Sequence, residues 1–225
     1  MINRELYMEQ ITPFIDKPFV KVITGIRRCG KSVVLRLIRE ELLRRGVSED
    51  HIIYMNFESF EWMDVKEAKA LYTYIREVTK VSGKYYILLD EIQEVTDWEK
   101  AVNAFLVDLD ADIYVTGSNS RLLSSEFSTY LAGRYVAFHI MTLSFREYLL
   151  FHNVPLAISA SDRKAEFLKY LRMGGFPAIH TANYDYNAIY KIVYDIYSSV
   201  ILRDTVQRHG IRNVEMLERI VTVSY

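Results

Sequence analysis

Gly25-Ile26-Arg27-Arg28-Cys29-Gly30-Lys31-Ser32 satisfies the pattern G-x-x-x-x-G-K-[ST] at each fixed position. The apolar run before it, residues 19–24, reads as a strand. Residues 32–45 after it read as a helix, with Val34, Leu35, Ile38 and Leu42 on one face. A strand, a glycine turn and a helix N-terminus form a cradle of backbone N–H groups with positive partial charge. Phosphate is the ligand that such a cradle suits. Lys31 adds an ammonium for the terminal phosphates of a nucleotide, and the Ser32 hydroxyl is a hard oxygen suited to Mg2+. Nucleotide contacts are expected from Gly25, Ile26, Arg27, Arg28, Cys29, Gly30, Lys31, Ser32 and Val33. Arg27 and Arg28 read equally as phosphate contacts or as solvated charges. Cys29 reads as a thiol activated by Lys31 or, more simply, as a small residue that fits.

The next decisive stretch is Tyr85-Tyr86-Ile87-Leu88-Leu89-Asp90-Glu91. Its continuous apolar run marks a strand buried on both faces, expected beside the phosphate-loop strand. Asp90 at its tip would hold Mg2+ through water, and Glu91 would accept a proton from the attacking water or orient it. Ile113-Tyr114-Val115-Thr116-Gly117-Ser118-Asn119-Ser120 repeats the design of a strand ending in small polar residues. Ser118 or Asn119 there reads as a contact to the γ-phosphate or the water, or as a polar turn. Arg134, in Leu131-Ala132-Gly133-Arg134-Tyr135, is expected near the same edge. It reads as an arginine placed on the γ-phosphate, from its own chain or a neighbour, or as a surface ion-pair partner. No Asn-Lys-x-Asp stretch is present to read guanine, so ATP is the expected nucleotide.

Working outward, strands at 52–57 and 135–141 and helices at 65–81 and 98–109 complete the alternation, the last opened by Asp97 as a cap. Alternation implies right-handed crossovers, a mostly parallel five-strand sheet flanked by helices, and a ligand crevice at the carboxyl ends of the strands. The expected organisation is an α/β nucleotide-binding domain over residues 1–150, then a helical appendage over 151–225, incomplete at its C-terminus. Appendage helices are expected up to about Arg172 (capped by Ser161 or Asp162), over 188–204, and from about Asn213. Tyr190, Tyr194 and Tyr197 fall at helical spacing and read as core packing rather than as a base-stacking stripe.

Composition narrows the classes. Lys plus Arg number 28 and Asp plus Glu 29, a net charge of −1, which gives nucleic-acid binding no support. The single cysteine precludes an internal disulfide and agrees with a cytoplasmic setting. No apolar run approaches the ~20 residues that span a bilayer. The histidines show no metal-ligand spacing, so Mg2+ is the one metal expected.

The loop Thr24–Ser32 resembles the G-x-R-R-x-G-K-[ST] loop of the prokaryotic AAA-type ATPases whose ATPase domain is usually followed by a DUF4143 region. Leu88-Leu89-Asp90-Glu91-Ile92-Gln93, Thr116-Gly117-Ser118-Asn119-Ser120, Leu131-Ala132-Gly133-Arg134, Leu143-Ser144-Phe145-Arg146-Glu147-Tyr148 and Gly174-Gly175-Phe176-Pro177 are similar to its other motifs. The resemblance implies a five-strand P-loop sheet with the phosphate-loop strand beside the Asp90 and Thr116 strands. It implies ATP hydrolysis with Glu91 as the catalytic glutamate, Ser118–Asn119 as a sensor and Arg134 as a candidate finger. The expected use is a switch or motor, working as a homo-oligomer or with an unidentified protein partner. A barely turning-over signalling scaffold and a small-molecule phosphotransferase are the alternatives. Glu91 directly after Asp90 favours water over a substrate as phosphate acceptor.

Overall fold

The computed structural model describes residues 4–117, 122, 130–181, 184–198, 206 and 216. They fall into two compact units, Met1–Met141 and Thr142–Tyr225. The helix at Phe145–Phe151, which the sequence reading groups with the first domain, lies in the second unit.

The first unit carries five strands: β1 (Val20–Gly25), β2 (Ile52–Asn56), β3 (Tyr85–Asp90), β4 (Ala111–Gly117) and β5 (Tyr135–Ile140). All are parallel, in the order β2-β3-β4-β1-β5. Helices α1 (Glu5–Ile11) and α2 (Lys31–Arg44) cover one face, α3 (Ala68–Val78) and α4 (Trp98–Asp108) the other. Strand alternation explains this. Ile23, Leu88, Tyr114 and Phe138 point into the layer under α2, whereas Val22, Ile87, Leu89 and Val115 point into the layer under α4. Both faces are buried, so β3 is apolar up to Asp90, and β1 buries Lys21 and Thr24 along with its valines and isoleucine.

One expectation about this sheet is corrected. The Asp90 strand β3 is not beside the phosphate-loop strand β1, because β4 lies between them and pairs with both. Apolar runs long enough to be buried on both faces are interchangeable in pattern, so lateral order is invisible in them. The consequence is functional: Thr116 is laterally between Thr24 and Asp90.

The amino edge of the sheet is stabilised by charge. Lys21 is fully buried, pairs with Asp112, and donates to the Lys17 carbonyl at 2.9 Å. Asp112 also accepts from the Tyr114 hydroxyl at 2.8 Å and the Asp16 N–H at 2.9 Å. A buried ammonium persists only when paired and hydrogen-bonded in this way. Arg134 is at this amino edge too: its carbonyl accepts from Val20 N–H at 2.9 Å, and its exposed side chain donates to Asn103 Oδ1 at 3.1 Å. The expectation that it sits at the phosphate-loop edge is therefore corrected.

The second unit has α5 (Phe145–Phe151), α6 (Ala160–Met173) and α7 (Tyr186–Ile196). Ser144 and Glu147 form a capping box at α5, and Ser159, not Ser161 or Asp162, caps α6. In the first unit Asp97 precedes α4 without a side-chain capping bond and pairs with Lys100 instead. Tyr190 and Tyr194 are 75% and 57% exposed, so the packing expected of them is not seen. The helix expected from Asn213 lies outside the described residues, apart from Met216.

At the centre of this unit, Tyr148 packs against Tyr170 and His180 and donates to Glu166 at 3.0 Å. His180 Nε2–H donates to the Gly174 carbonyl at 2.8 Å, so its Nδ1 accepts from His152 Nε2–H at 3.0 Å. Burial pushes both imidazoles below the ordinary histidine value. A folded pKa below the unfolded one means that stability is present above about pH 6.5 and declines as pH falls through it. Protonated His180 would confront one N–H with another and lose the His152 bond. Thermal melts followed by near-ultraviolet dichroism should show a loss of about 1 kcal/mol between pH 7.5 and 5.5, the value of one buried hydrogen bond. A His180→Gln variant should flatten that dependence, and a wild-type profile that is already flat would contradict it.

Candidate functional site

The site is built at the carboxyl edge of the sheet. β1 ends at Gly25, where a Cβ would lie 2.3 Å from the Ile140 carbonyl oxygen and 2.7 Å from Cys29 Sγ. Only glycine fits. The loop then passes through Arg28, with φ of 63°, and Gly30, with φ of 104°, into the N-terminus of α2. Buried Arg4, just before α1, reaches into the loop from below and donates to the Cys29 carbonyl at 3.0 Å and the Met141 carbonyl at 2.9 Å. Because the peptide is planar and trans, holding the Cys29 carbonyl toward Arg4 turns the Gly30 N–H the opposite way. Cys29 is fully buried, and burial pushes its thiol up despite the charges of Lys31 and Arg4. This favours the bland reading of that residue over an activated thiol.

Lys31 is buried, and its ammonium donates to the carbonyls of Gly25 and Ile26, each at 3.3 Å. The same nitrogen lies 3.3 Å from Glu91 Oε1. The expected lysine and the expected catalytic carboxylate are thus in contact across two intervening strands' worth of sequence. Glu91 follows β3 with φ of 55°, a region few non-glycine residues enter. Its N–H donates to Thr116 Oγ1 at 2.9 Å. The Thr116 hydroxyl donates in turn to Asp90 Oδ1. Tyr54 of β2 donates to Asp90 Oδ2 at 2.9 Å, and burial together with the Asp90 charge pushes the Tyr54 phenol up, so it remains a donor. Asp90 itself is fully buried.

Negative charge accumulates here. Loss of hydration, and after it the charge of Glu91, push the Glu58 carboxyl up, with Asp90 and Glu94 adding to the effect and Arg27 opposing it. A cation fits such a field. The buried Asp90 carboxylate presents hard oxygens of the kind that Mg2+ takes along with water and phosphate oxygens. Among the described residues, no three His, Cys, Asp or Glu side chains converge as a protein-only metal cage. Mg2+ seldom uses one.

Of the expected site residues, the loop, Lys31, Asp90 and Glu91 come together. Arg134 does not join them within the chain, and Ser118 and Asn119 lie outside the described residues. Thr116, Tyr54, Gln93 and Arg4 were not anticipated as site residues. Thr116 carried a visible signal, as the last strand residue before the small polar stretch; Arg4 carried none.

A family model described as an AAA domain matches residues 17–149, more than half of the chain. An uncharacterized protein of Haemophilus influenzae is 40% identical over 98% of this chain and 54% of its own length. A second, from Methanocaldococcus jannaschii, is 34% identical over 97% of this chain and 48% of its own. The chain therefore spans about half the length of the curated relatives it matches. Among solved structures, Hsp104 with ATPγS and FITC-casein aligns with 80% of this chain and 36% of that one, at 12% identity and a TM-score of 0.51. That likeness is one of fold, a P-loop nucleotide-binding fold of AAA type. None of the described helices is long and apolar enough to cross a membrane.

Proposed function

The chain belongs to the AAA domain family, and from that premise we propose that it binds Mg-ATP and hydrolyses it as a cytoplasmic switch or motor. The observation that carries this reading is the meeting of Lys31 with Glu91 at 3.3 Å, beside an Asp90 held by two hydroxyls. The loop N–H groups and Lys31 bind the phosphates. Binding draws the Lys31 ammonium from Glu91 to the terminal phosphate oxygens. Glu91, relieved of its cation, then serves as acceptor for a proton of the attacking water. Thr116 ties the Glu91 backbone to the Asp90 carboxylate, since its hydroxyl accepts from the Glu91 N–H and donates to Asp90. Ser32 and Asp90 would hold Mg2+, which when bound supplies charge neutralisation at the β- and γ-phosphates. Ser118–Asn119 keeps the sensor role that the family resemblance implies.

Arg134 enters as a residue acting on a neighbour's nucleotide. It precedes β5, whose first residue pairs with Val20, while the phosphate loop starts at Gly25 at the other end of β1. Five residue steps of strand separate them, about 17 Å at the usual rise, more than an arginine side chain bridges. A homo-oligomer would place it on the γ-phosphate of the next subunit. Phosphate release per subunit should then rise steeply with protein concentration. Arg134→Ala should remove that rise and lower the plateau by on the order of 10³-fold. Equal specific activity at all concentrations, with Arg134→Ala matching wild type, would contradict the assembly.

A further inference from the structure

Glu91 is held by one more group, Gln93, two residues downstream at the second position of the single 3-10 turn Ile92–Glu94. Gln93 Nε2 donates to Glu91 Oε2 at 2.6 Å, while Glu91 Oε1 faces Lys31. Against a carboxylate, an amide must present its nitrogen, so the orientation of the Gln93 side chain is settled by chemistry. Its oxygen then points the other way. Gln93 Oε1 is buried and meets no hydrogen-bond partner among the described residues. It lies against the Cα of Gly117, where a Cβ would come within 2.1 Å of it. Glycine at this position is a matter of clearance, and what it clears is the Gln93 amide first and the Leu122 side chain, at 2.8 Å, after it.

An unpaired buried acceptor and a left-handed glutamate backbone are both costs, and they occur in adjacent turns around one carboxylate. Both are accounted for if the chain is built to aim Glu91.

Resting on the hydrolase reading above, we infer that Gln93 is a positioning residue for Glu91, with Gly117 providing the space its amide needs. Gln93 fixes one carboxylate oxygen, so that when Lys31 turns to phosphate the other oxygen is left directed at the attacking water.

The test compares wild type, Gln93→Met, Gln93→Glu and Gly117→Ala. Gln93→Met removes the donor at similar length. Gln93→Glu keeps the shape but sets a second carboxyl against Glu91, which repels it or shares a proton with it, and Gly117→Ala crowds the amide together with Leu122. Steady-state phosphate release gives kcat, direct equilibrium titration with ATP gives affinity, and thermal melts give Tm. All three variants should lose about 10- to 100-fold in kcat, the cost of a misplaced reacting group. Gln93→Met should bind ATP as tightly as wild type or more so, because Glu91 is held less firmly to Lys31. A merely structural role moves both quantities the same way, with affinity and kcat falling together and Tm with them. That result, or kcat within twofold of wild type in the Gln93 variants, overturns the inference. A wild type that binds ATP and releases no phosphate sinks the hydrolase reading, and this inference with it. Variants matching an active wild type sink the inference alone.

Discussion

Glu91→Gln should cut phosphate release by about 10²- to 10⁴-fold, the range for loss of a positioned proton acceptor, while ATP remains bound. The carboxamide is nearly isosteric, so the backbone at φ of 55° and the N–H bond to Thr116 are retained. What disappears is the basic oxygen, together with the negative charge 3.3 Å from Lys31. That charge competes with phosphate for the same ammonium. Its removal should leave ATP affinity unchanged or improve it, so turnover and affinity move in opposite directions. A parallel collapse of both would mean that Glu91 supports the loop rather than the chemistry.

Lys31→Ala should act in the complementary way. Each charge-assisted hydrogen bond to phosphate contributes about 1.5–3 kcal/mol, and two such bonds correspond to roughly 10²-fold or more in affinity at 1.4 kcal/mol per decade. Binding should therefore fall by at least that much. The same substitution leaves the buried Glu91 carboxylate beside Asp90 without its ammonium, and breaking a buried pair by removing one partner costs about 3 kcal/mol. Adding Glu91→Gln to Lys31→Ala should restore the melting temperature without restoring ATP binding. Recovery of both, or of neither, would show that the pair is not the coupling between the loop and β3.

The parts of this account legible in the sequence are those carried by local spacing. Gly25, Gly30, Lys31 and Ser32 are four fixed positions in eight residues, and Asp90–Glu91 closes an unbroken apolar run. The strand and helix succession followed from periods of 2 and 3.6. Contacts made sideways across the sheet were not legible. Tyr54, Asp90 and Thr116 meet only because β2, β3 and β4 are neighbours, and no residue pattern says which apolar strand stands beside which. Thr116 shows the limit well: it was read as part of a strand end, but its bond to Asp90 depends on β4 lying inside β3 and β1. Arg4 reaches a carbonyl 25 residues away and another 137 away, a connection with no periodic trace. Arg134 was misplaced although its edge was legible, because a residue just before a strand of a parallel sheet lies at the amino edge, opposite the phosphate loop. The missed cap at Asp97 has a similar cause, since its carboxylate had Lys100 as a competing partner.

The most direct measurement is ATP turnover by the wild-type chain, with and without Mg2+, alongside equilibrium binding of ATP to the same preparation. Tight ATP binding is expected, with phosphate release that requires Mg2+, saturates with ATP and rises with protein concentration. A chain that binds no ATP under any of these conditions would contradict the assignment of residues 25–33 as a nucleotide site, and the rest of the mechanism with it.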